Sequence, residues 1–484
     1  MSISGRLFDA YPLKDKMVLW IRNNDGSAAR LVDDWTPSIY VGSESMAYLK
    51  TLVANPAVQY YIKEHDLVSK YERITDHEPR TVLKLTLADS SKIMALANLI
   101  EDIDVHERFR LYNVDILSPQ AYFYEHDIFP LAQLTALQND CKVEWQLEDD
   151  VRFTDYQLPE FRILHLDVQA KKEESLPSFK DKIDRITIRQ GSETIFIHES
   201  TEQDSLYQLI ENVERLDPDF IFTQDGDEFV FPYLLERANN NGVELILGRE
   251  GTAIPKPATH GITYFSYGRV HYRASSVMLQ GRMHLDRNNS LIHDPSAIHG
   301  LCELARVCRI PLHTVSRSTI GRALTSMQFY LAFKRNLLIP FKPANLETVK
   351  NMKELVVADR GGLILEPKIG VHEKVAEFDF VSLYPNIISK LNIGADTLNC
   401  DCCPDSSRIV PEMGYRICEK RRGLVPESLE IPISNRKAYK RLRDLATDDK
   451  SWSILDSRQG MLRVIGHVSF GYQGHAHSHF GILD

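Results

Sequence analysis

The run FDFVSLYPNII, residues 378–388, decides how this chain is read. The stretch GGLILEPKIGVHEKVAE leads into it. The pattern predicts a strand that delivers Asp379 to its end, then a turn, then a helix. A carboxylate at a strand end can hold a divalent ion beside a polyphosphate. Phosphoryl transfer needs such an ion to stabilise the developing charge. An aromatic ring a few residues later, here Tyr384, can form a floor under a sugar. Taken alone, Asp379 reads more readily as an exposed acid before a Tyr-Pro turn. The run as a whole carries the chemical reading.

Downstream, PISNRKAYKRLRDLA and SWSILDSRQGMLRVIGHVSFGYQG predict two helices separated by a polar turn. Arg436 and Lys440 stand four apart and share a face of the first. In the second, Ile454, Leu455, Met461, Leu462 and Ile465 form an apolar face, while Gln459, Arg463 and His467 recur at i, i+4, i+8 on another. Residues 420–463 contain 11 Lys/Arg against 6 Asp/Glu, so this stretch is basic within a chain of net charge −10. A solvated helix face is the plain reading of such charge, and phosphate binding is the functional one. Between the two regions lie Cys400, Cys402 and Cys403, with Cys418 beyond them. Thiolate clusters can hold zinc tetrahedrally, although adjacent cysteines make an awkward pair for one ion. Free thiols are the other reading. His475, His477 and His479 alternate as on a strand and read as solvated.

Upstream, residues 1–155 read as mixed α/β, with β-like runs MVLWI and PSIYVG and the amphipathic stretch SSKIMALANLIEDI. A second unit starts near Phe161. FRILHLDVQA, DRITIRQG and ETIFIHE predict three strands, DSLYQLIENVERL a helix and PDFIFTQ another strand. A sheet layered with helices follows from that order. STIGRALTSMQFYLAFKRN reads as helical. Composition agrees with a multidomain globular chain: 484 residues, 43% hydrophobic and 26% charged. No apolar run is long enough to cross a bilayer, and the N-terminal residues show no secretory h-region. Seven cysteines are too few for a disulfide scaffold of this size. The acidic balance leaves nucleic-acid binding open, because binding depends on where Lys and Arg sit.

FDFVSLYPNII resembles motif A of family B DNA polymerases (D-x-x-S-L-Y-P-x-I-I). The resemblance implies that Asp379 is one of two metal-binding palm aspartates and the catalytic carboxylate. It implies that Phe380, Val381, Ser382 and Leu383 pass along the triphosphate and that Tyr384 packs against the sugar, excluding a 2′-hydroxyl. Arg436 and Lys440 are similar to the fingers residues that grip the incoming dNTP. ILDSRQGMLRVIGHVSFGYQG looks like motif B, K-x-x-x-N-S-x-Y-G, with departures. Arg463 stands at the Lys, His467 at the Asn, Val468 at the Ser and Phe470 at the Tyr, while Gly471 is retained. Arginine keeps the charge but hardly deprotonates, so nucleotide binding is expected to survive better than turnover. Thermophilic members carry a disulfide near the cysteine cluster, which implies Cys402 or Cys403 bonded to Cys418 as an alternative to zinc.

The family's motif C, which bears the second palm aspartate, has no counterpart after residue 380. Two Mg²⁺ ions need carboxylates from both motifs. The chain alone is therefore expected not to polymerise; a split polymerase or a fragment is the favoured explanation, with a retired enzyme as the third. The proofreading positions are also eroded. ILHLDVQ resembles the first exonuclease motif, D-x-E, with Asp167 followed by Gln169. TQDGDEFVF resembles N-x-x-x-F-D, with Asp225 at the Asn and Val230 at the metal-binding Asp. The third motif has no match: Asp286 and Asp294 are wrongly spaced. An inactive exonuclease of preserved fold is expected, with Asp167 and Asp227 structural or solvated.

The expected fold class is α+β and multidomain. The expected domains are 1–155 N-terminal, 156–313 RNase H-like exonuclease, 314–424 palm with motif A, and 425–484 fingers with motif B. The implied partners are primer–template DNA, dNTP, a second polypeptide carrying motif C and the thumb, and a processivity clamp, in the cytoplasm at the nucleoid. The alternative function is a non-catalytic primer–template binding or scaffold subunit of a repair or replication complex.

Overall fold

The computed structural model describes every residue except 1, 105–107, 172–177, 256–260, 267, 344–348, 350, 354–355, 357–364, 476 and 482–484. The chain forms two compact units, each assembled from separate stretches.

The first unit takes Met1–Trp35, Ser118–Thr319 and Tyr439–Met461. The run MVLWI becomes the strand Lys16–Asn23, inside an antiparallel sheet ordered Ala28–Asp33, Lys16–Asn23, Ser2–Leu13, Gln133–Asn139, Lys142–Leu147. A second five-stranded sheet holds the strands expected near Phe161. Its order is Glu193–Ile197, Ile183–Gln190, Ile163–Ala170, Phe220–Thr223, Met283–Asp286. The first three pair antiparallel and the last two join in parallel. Strict alternation in FRILHLDVQA sends Leu164, Leu166 and Val168 inward, while Asp167 and Gln169 face solvent. The inward residues meet Leu206, Leu209 and Val213 of the helix Glu202–Leu216. Thr201 starts that helix by accepting the Asp204 backbone N–H, and Asp217 ends it in the left-handed region.

An antiparallel ribbon, Ile262–Ser266 with Arg269–Arg273, pairs with no third described strand. It exposes Ile262, Phe265 and Val270 at 65%, 73% and 71% of their surface.

The same unit buries a polar cluster. Glu303, 1% exposed, accepts hydrogen bonds from Tyr156 Oη at 2.7 Å and Tyr439 Oη at 2.8 Å. The Tyr156 ring lies against the guanidinium of Arg306 at 3.7 Å and of Arg458 at 3.9 Å. Arg306 in turn donates to both oxygens of Asp149 at 2.8 and 2.9 Å. A buried carboxylate without such donors would be unfavourable by several kcal/mol, about what an uncompensated buried charge costs.

The second unit takes Thr36–Leu117, Ile320–Ala438 and Leu462–Asp484. Its antiparallel sheet runs Ile62–Lys70, Arg80–Leu87, Ser38–Gly42, Arg110–Tyr112. The helix Ile93–Ile103 buries Leu96, Ala97 and Ile100 against it, the amphipathic face that the sequence pattern predicts. The helices Ile320–Lys334 and Leu383–Leu391 also belong to this unit. The two tail helices form as Glu430–Leu445 and Asp449–Gln473. Among the described residues no helix is long and apolar enough to cross a membrane.

Two expected strands differ. The run GGLILEP begins at residues 361–364, which lie outside the described residues. From Leu365 to Phe380 the chain has no regular hydrogen-bonded structure and is exposed throughout. A strand needs a neighbour for its N–H and C=O groups, and no described strand lies beside this one. Asp379 therefore sits on an open segment and not at a strand end. His475 and His477 lie in turns, held by the His475 N–H to the Tyr472 carbonyl and the Ser478 N–H to the His475 carbonyl.

Candidate active site

The helix Leu383–Leu391 begins abruptly. Ser382 precedes it with φ of 51°, in the left-handed region, which reverses the chain between the open segment and the helix. The Asn386 side-chain amide donates to the carbonyls of Val381 at 2.9 Å and Ser382 at 3.1 Å, which fixes the turn. Asp379, Phe380, Val381, Leu383 and Tyr384 are all exposed, while Pro385 and Ile388 are buried and hold the helix down.

Arg436 reaches this turn from the helix Glu430–Leu445 and donates through Nη1 to Ser382 Oγ. Ser382, Pro385, Ile433, Arg436, Leu462 and Arg463 line one narrow cleft. Its apolar base comes from the face that the sequence assigns to the core: Leu462 and Ile465 are 1% and 0% exposed. Burial lowers the pKa of Arg436, and the nearby charge of Arg463 lowers it further. Arg436 Nε is buried with no hydrogen-bond partner. None of the cleft-lining residues is acidic. Two like charges beside this small cleft, about 10 Å³ and lined by no carboxylate, give the surface there a positive potential.

Arg463, His467 and Phe470 are exposed along the helix Asp449–Gln473. Arg463 Nε donates to His467 Nε2 at 3.3 Å, so that ring nitrogen acts as the acceptor. The Tyr384 ring stacks on Phe470 with centroids 4.8 Å apart and planes 16° from parallel. In sequence Phe470 is a departure from the motif B pattern; its spacing from Arg463 and His467 on one helix is the signal that marks it as part of this surface. Gly466 faces Pro385 at ordinary contact distance, since a Cβ there would lie 3.5 Å from the proline ring. Lys440 lies one turn beyond Arg436 on the same helix, half-buried, and belongs to the other compact unit.

A two-ion site is not complete here. Among the described residues, the one group of three or more His, Cys, Asp or Glu close enough to share an ion is the four cysteines, and Asp379 belongs to no such group. Among the described residues Asp379 thus stands in no cluster of the several ligands that two-metal transfer needs.

The four thiols, Cys400, Cys402, Cys403 and Cys418, do come together, with all Sγ atoms within 4.8 Å of one another. Cys402 Sγ lies 3.5 Å and Cys403 Sγ 3.7 Å from Cys418 Sγ, far beyond the roughly 2.05 Å of a disulfide, so neither alternative pairing is formed.

In the sheet of the first unit, Asp167 and Gln169 are exposed on one strand, and Gln169 Oε1 accepts from Arg185 at 2.9 Å. Val230 is 3% exposed and packs in the core of that unit. Asp225 adopts φ of 57° and accepts from Asn288 at 2.5 Å. Asp227 is buried and accepts from Arg317 Nε at 2.7 Å and Asn289 Nδ2 at 2.7 Å. Burial alone would raise its pKa, but the His284 hydrogen bond and the Arg317 charge outweigh it and hold the carboxyl well below the usual range. Asp286 is also buried and accepts the Asp227 backbone N–H at 2.9 Å. Both acids are tied into the packing by these bonds.

Comparison with known proteins places these features in a lineage. Residues 310–483 match the family profile of DNA polymerase family B, and residues 186–291 match that of the DNA polymerase family B exonuclease domain. DNA polymerase 1 of Pyrococcus abyssi is 28% identical over 322 residues, covering 57% of this chain and 41% of that protein. DNA polymerase 2 of Saccharolobus solfataricus is 32% identical over 190 residues, covering 39% of this chain and 28% of that protein. The matched region thus spans less than half the length of either relative. The family B DNA polymerase structure from Pyrobaculum calidifontis shares the fold, with a TM-score of 0.74 at 19% identity, covering 98% of this chain and 69% of that one. Two profiles of one family, met in succession along the sequence, and the run around Asp379 lead to one conclusion: the chain belongs to DNA polymerase family B.

Proposed function

We propose that the chain is the nucleotide-gripping part of a template-directed DNA polymerase. The observation that carries this is the cleft in which Ser382, Arg436 and Arg463 converge beside the stacked Tyr384 and Phe470. Arg436 and Arg463 hold the triphosphate of a dNTP, and their mutual repulsion is relieved when the anion arrives. Tyr384, backed by Phe470, forms the floor under the deoxyribose and rejects a 2′-hydroxyl. Lys440 adds charge along the same helix. Residues 314–424 serve as palm and 425–484 as fingers, with 156–313 as the exonuclease-like domain and 1–155 as the N-terminal domain.

Magnesium supplies charge neutralisation in this chemistry. Asp379 offers one carboxylate toward it, and a second polypeptide or further segment must supply the other. Primer–template DNA is the substrate, and a processivity clamp is a further partner. The exonuclease-like unit does not hydrolyse DNA: Gln169 and Val230 stand where the family pattern has acids, and Asp227 is held by Arg317.

Primer extension tests the reading. The chain alone gives no extension; combined with the polypeptide or further segment that carries a second palm aspartate, it extends a primer, and Asp379→Ala abolishes this. A nuclease assay with Mg²⁺ or Mn²⁺ on single-stranded DNA gives no 3′–5′ degradation. A second reading, a non-catalytic primer–template binding subunit, is favoured by Asp379 joining no cluster of three or more metal-ligating groups among the described residues. It predicts DNA binding that Asp379→Ala leaves unchanged and no extension with any partner.

A further inference from the structure

The segment from Asn392 to Gly423 has little to hold it. Its described secondary structure amounts to two isolated bridges, Leu398 with Ile417 and Ile409 with Arg416. Its buried apolar side chains are Cys403, Ile417 and Cys418. A stretch this poor in core normally needs a staple.

The four thiols supply one. The Sγ–Sγ distances are 3.3 Å for Cys400–Cys402, 3.8 Å for Cys402–Cys403, 3.5 Å for Cys402–Cys418 and 3.7 Å for Cys403–Cys418. With zinc–sulfur bonds of about 2.3 Å, the edges of a regular tetrahedron are about 3.8 Å. The observed set therefore sits at the spacing of one ion. An iron–sulfur cluster, whose metal atoms are themselves held apart by sulfides, would spread its thiolates wider. The adjacent pair, awkward on paper, works because the chain turns between them: the Cys403 N–H bonds to the Cys400 carbonyl at 3.4 Å, and both sulfurs reach the same point. The Arg421 backbone N–H donates to Cys418 Sγ at 3.3 Å, a bond that suits a thiolate. The Arg421 charge lies beside Cys402 and Cys418 and offsets the excess negative charge that four thiolates leave around a divalent ion.

We propose that Cys400, Cys402, Cys403 and Cys418 bind a single structural zinc ion. The ion fastens the segment to the end of the helix that follows Asp379. Asn392, which closes that helix, donates to the carbonyls of Cys418 at 3.1 Å and Arg421 at 2.8 Å. Arg422 donates to the Ser389 carbonyl at 2.6 Å. The cysteine knot thereby positions the helix that carries Tyr384 without touching a nucleotide.

The test is metal analysis of the reduced protein purified without a His tag, with no reference to polymerase activity. One zinc per chain is expected. Cobalt exchanged into the site should show the thiolate-to-cobalt charge-transfer bands and d–d bands of a tetrahedral sulfur set. Cys403→Ser should lose the metal, while Cys141→Ser, at an exposed cysteine outside the cluster, should keep it. Because Cys403→Ser could misfold, the wild-type chain is also stripped with a chelator; its thermal midpoint should fall and return when zinc is restored. Zinc far below one per chain, iron with acid-labile sulfide, or disulfides found by thiol counting would each overturn the proposal, whatever the outcome of primer extension.

Discussion

Ser382 shows how much one residue can organise. Its left-handed backbone turns the chain into the helix Leu383–Leu391, and its hydroxyl accepts from Arg436. If that guanidinium grips a phosphate, Arg436→Ala removes charge-assisted hydrogen bonds of about 1.5–3 kcal/mol. Fluorescence titration of the chain with a labelled dNTP should then show affinity weakened roughly 10- to 150-fold, whereas Arg463→Lys should weaken it less. Asp227 makes a different prediction. Asp227→Asn leaves Arg317 buried without its carboxylate and should destabilise the first unit by roughly 3–5 kcal/mol, read by denaturant unfolding. The roles proposed for Asp379, Tyr384 and Arg436 rest on fixed offsets in short runs, which sequence displays directly. The stack of Tyr384 on Phe470 was not legible there, since it joins positions 86 residues apart through packing alone.

At the scale of elements, the tail helices follow from their pattern: apolar residues at helical spacing, broken by the polar run before Asp449. What pattern did not reveal is their anchor. Tyr439 is fully buried and donates to Glu303, a long-range bond between two helices that periodicity cannot announce. Tyr439→Phe keeps the ring and removes one donor to a buried carboxylate. It should lower stability by about 1.5–3 kcal/mol, seen as a fall in the thermal midpoint, with little change in secondary structure by circular dichroism. The strand expected before Asp379 failed for the converse reason. Its residues have the local alternation of a strand, but a strand is a property of pairs, and no described neighbour pairs with it.

For the whole molecule, buried acids set the response to pH. The Asp227 carboxyl is held below its ordinary value by His284 and Arg317 against the opposing effect of burial. Burial likewise opposes the lowered value of Asp149, which the Arg306 hydrogen bond and charge bring down. A folded-state pKa below the unfolded one contributes stability that is present above the unfolded value, about 3.9, and is lost as pH falls through the folded value. Thermal midpoints should therefore hold steady near neutrality and decline below about pH 4. Asp227→Asn, already lacking that contribution, should show a shallower decline.

The ribbon Ile262–Arg273 carries its own implication for how the molecule breathes. Among the described strands these two pair only with each other and gain no cooperativity from a wider sheet, and their exposed apolar side chains gain little from staying folded. Its amides should exchange with deuterium well before those of Ile163–Ala170, and a protease should nick the chain there while the rest remains resistant.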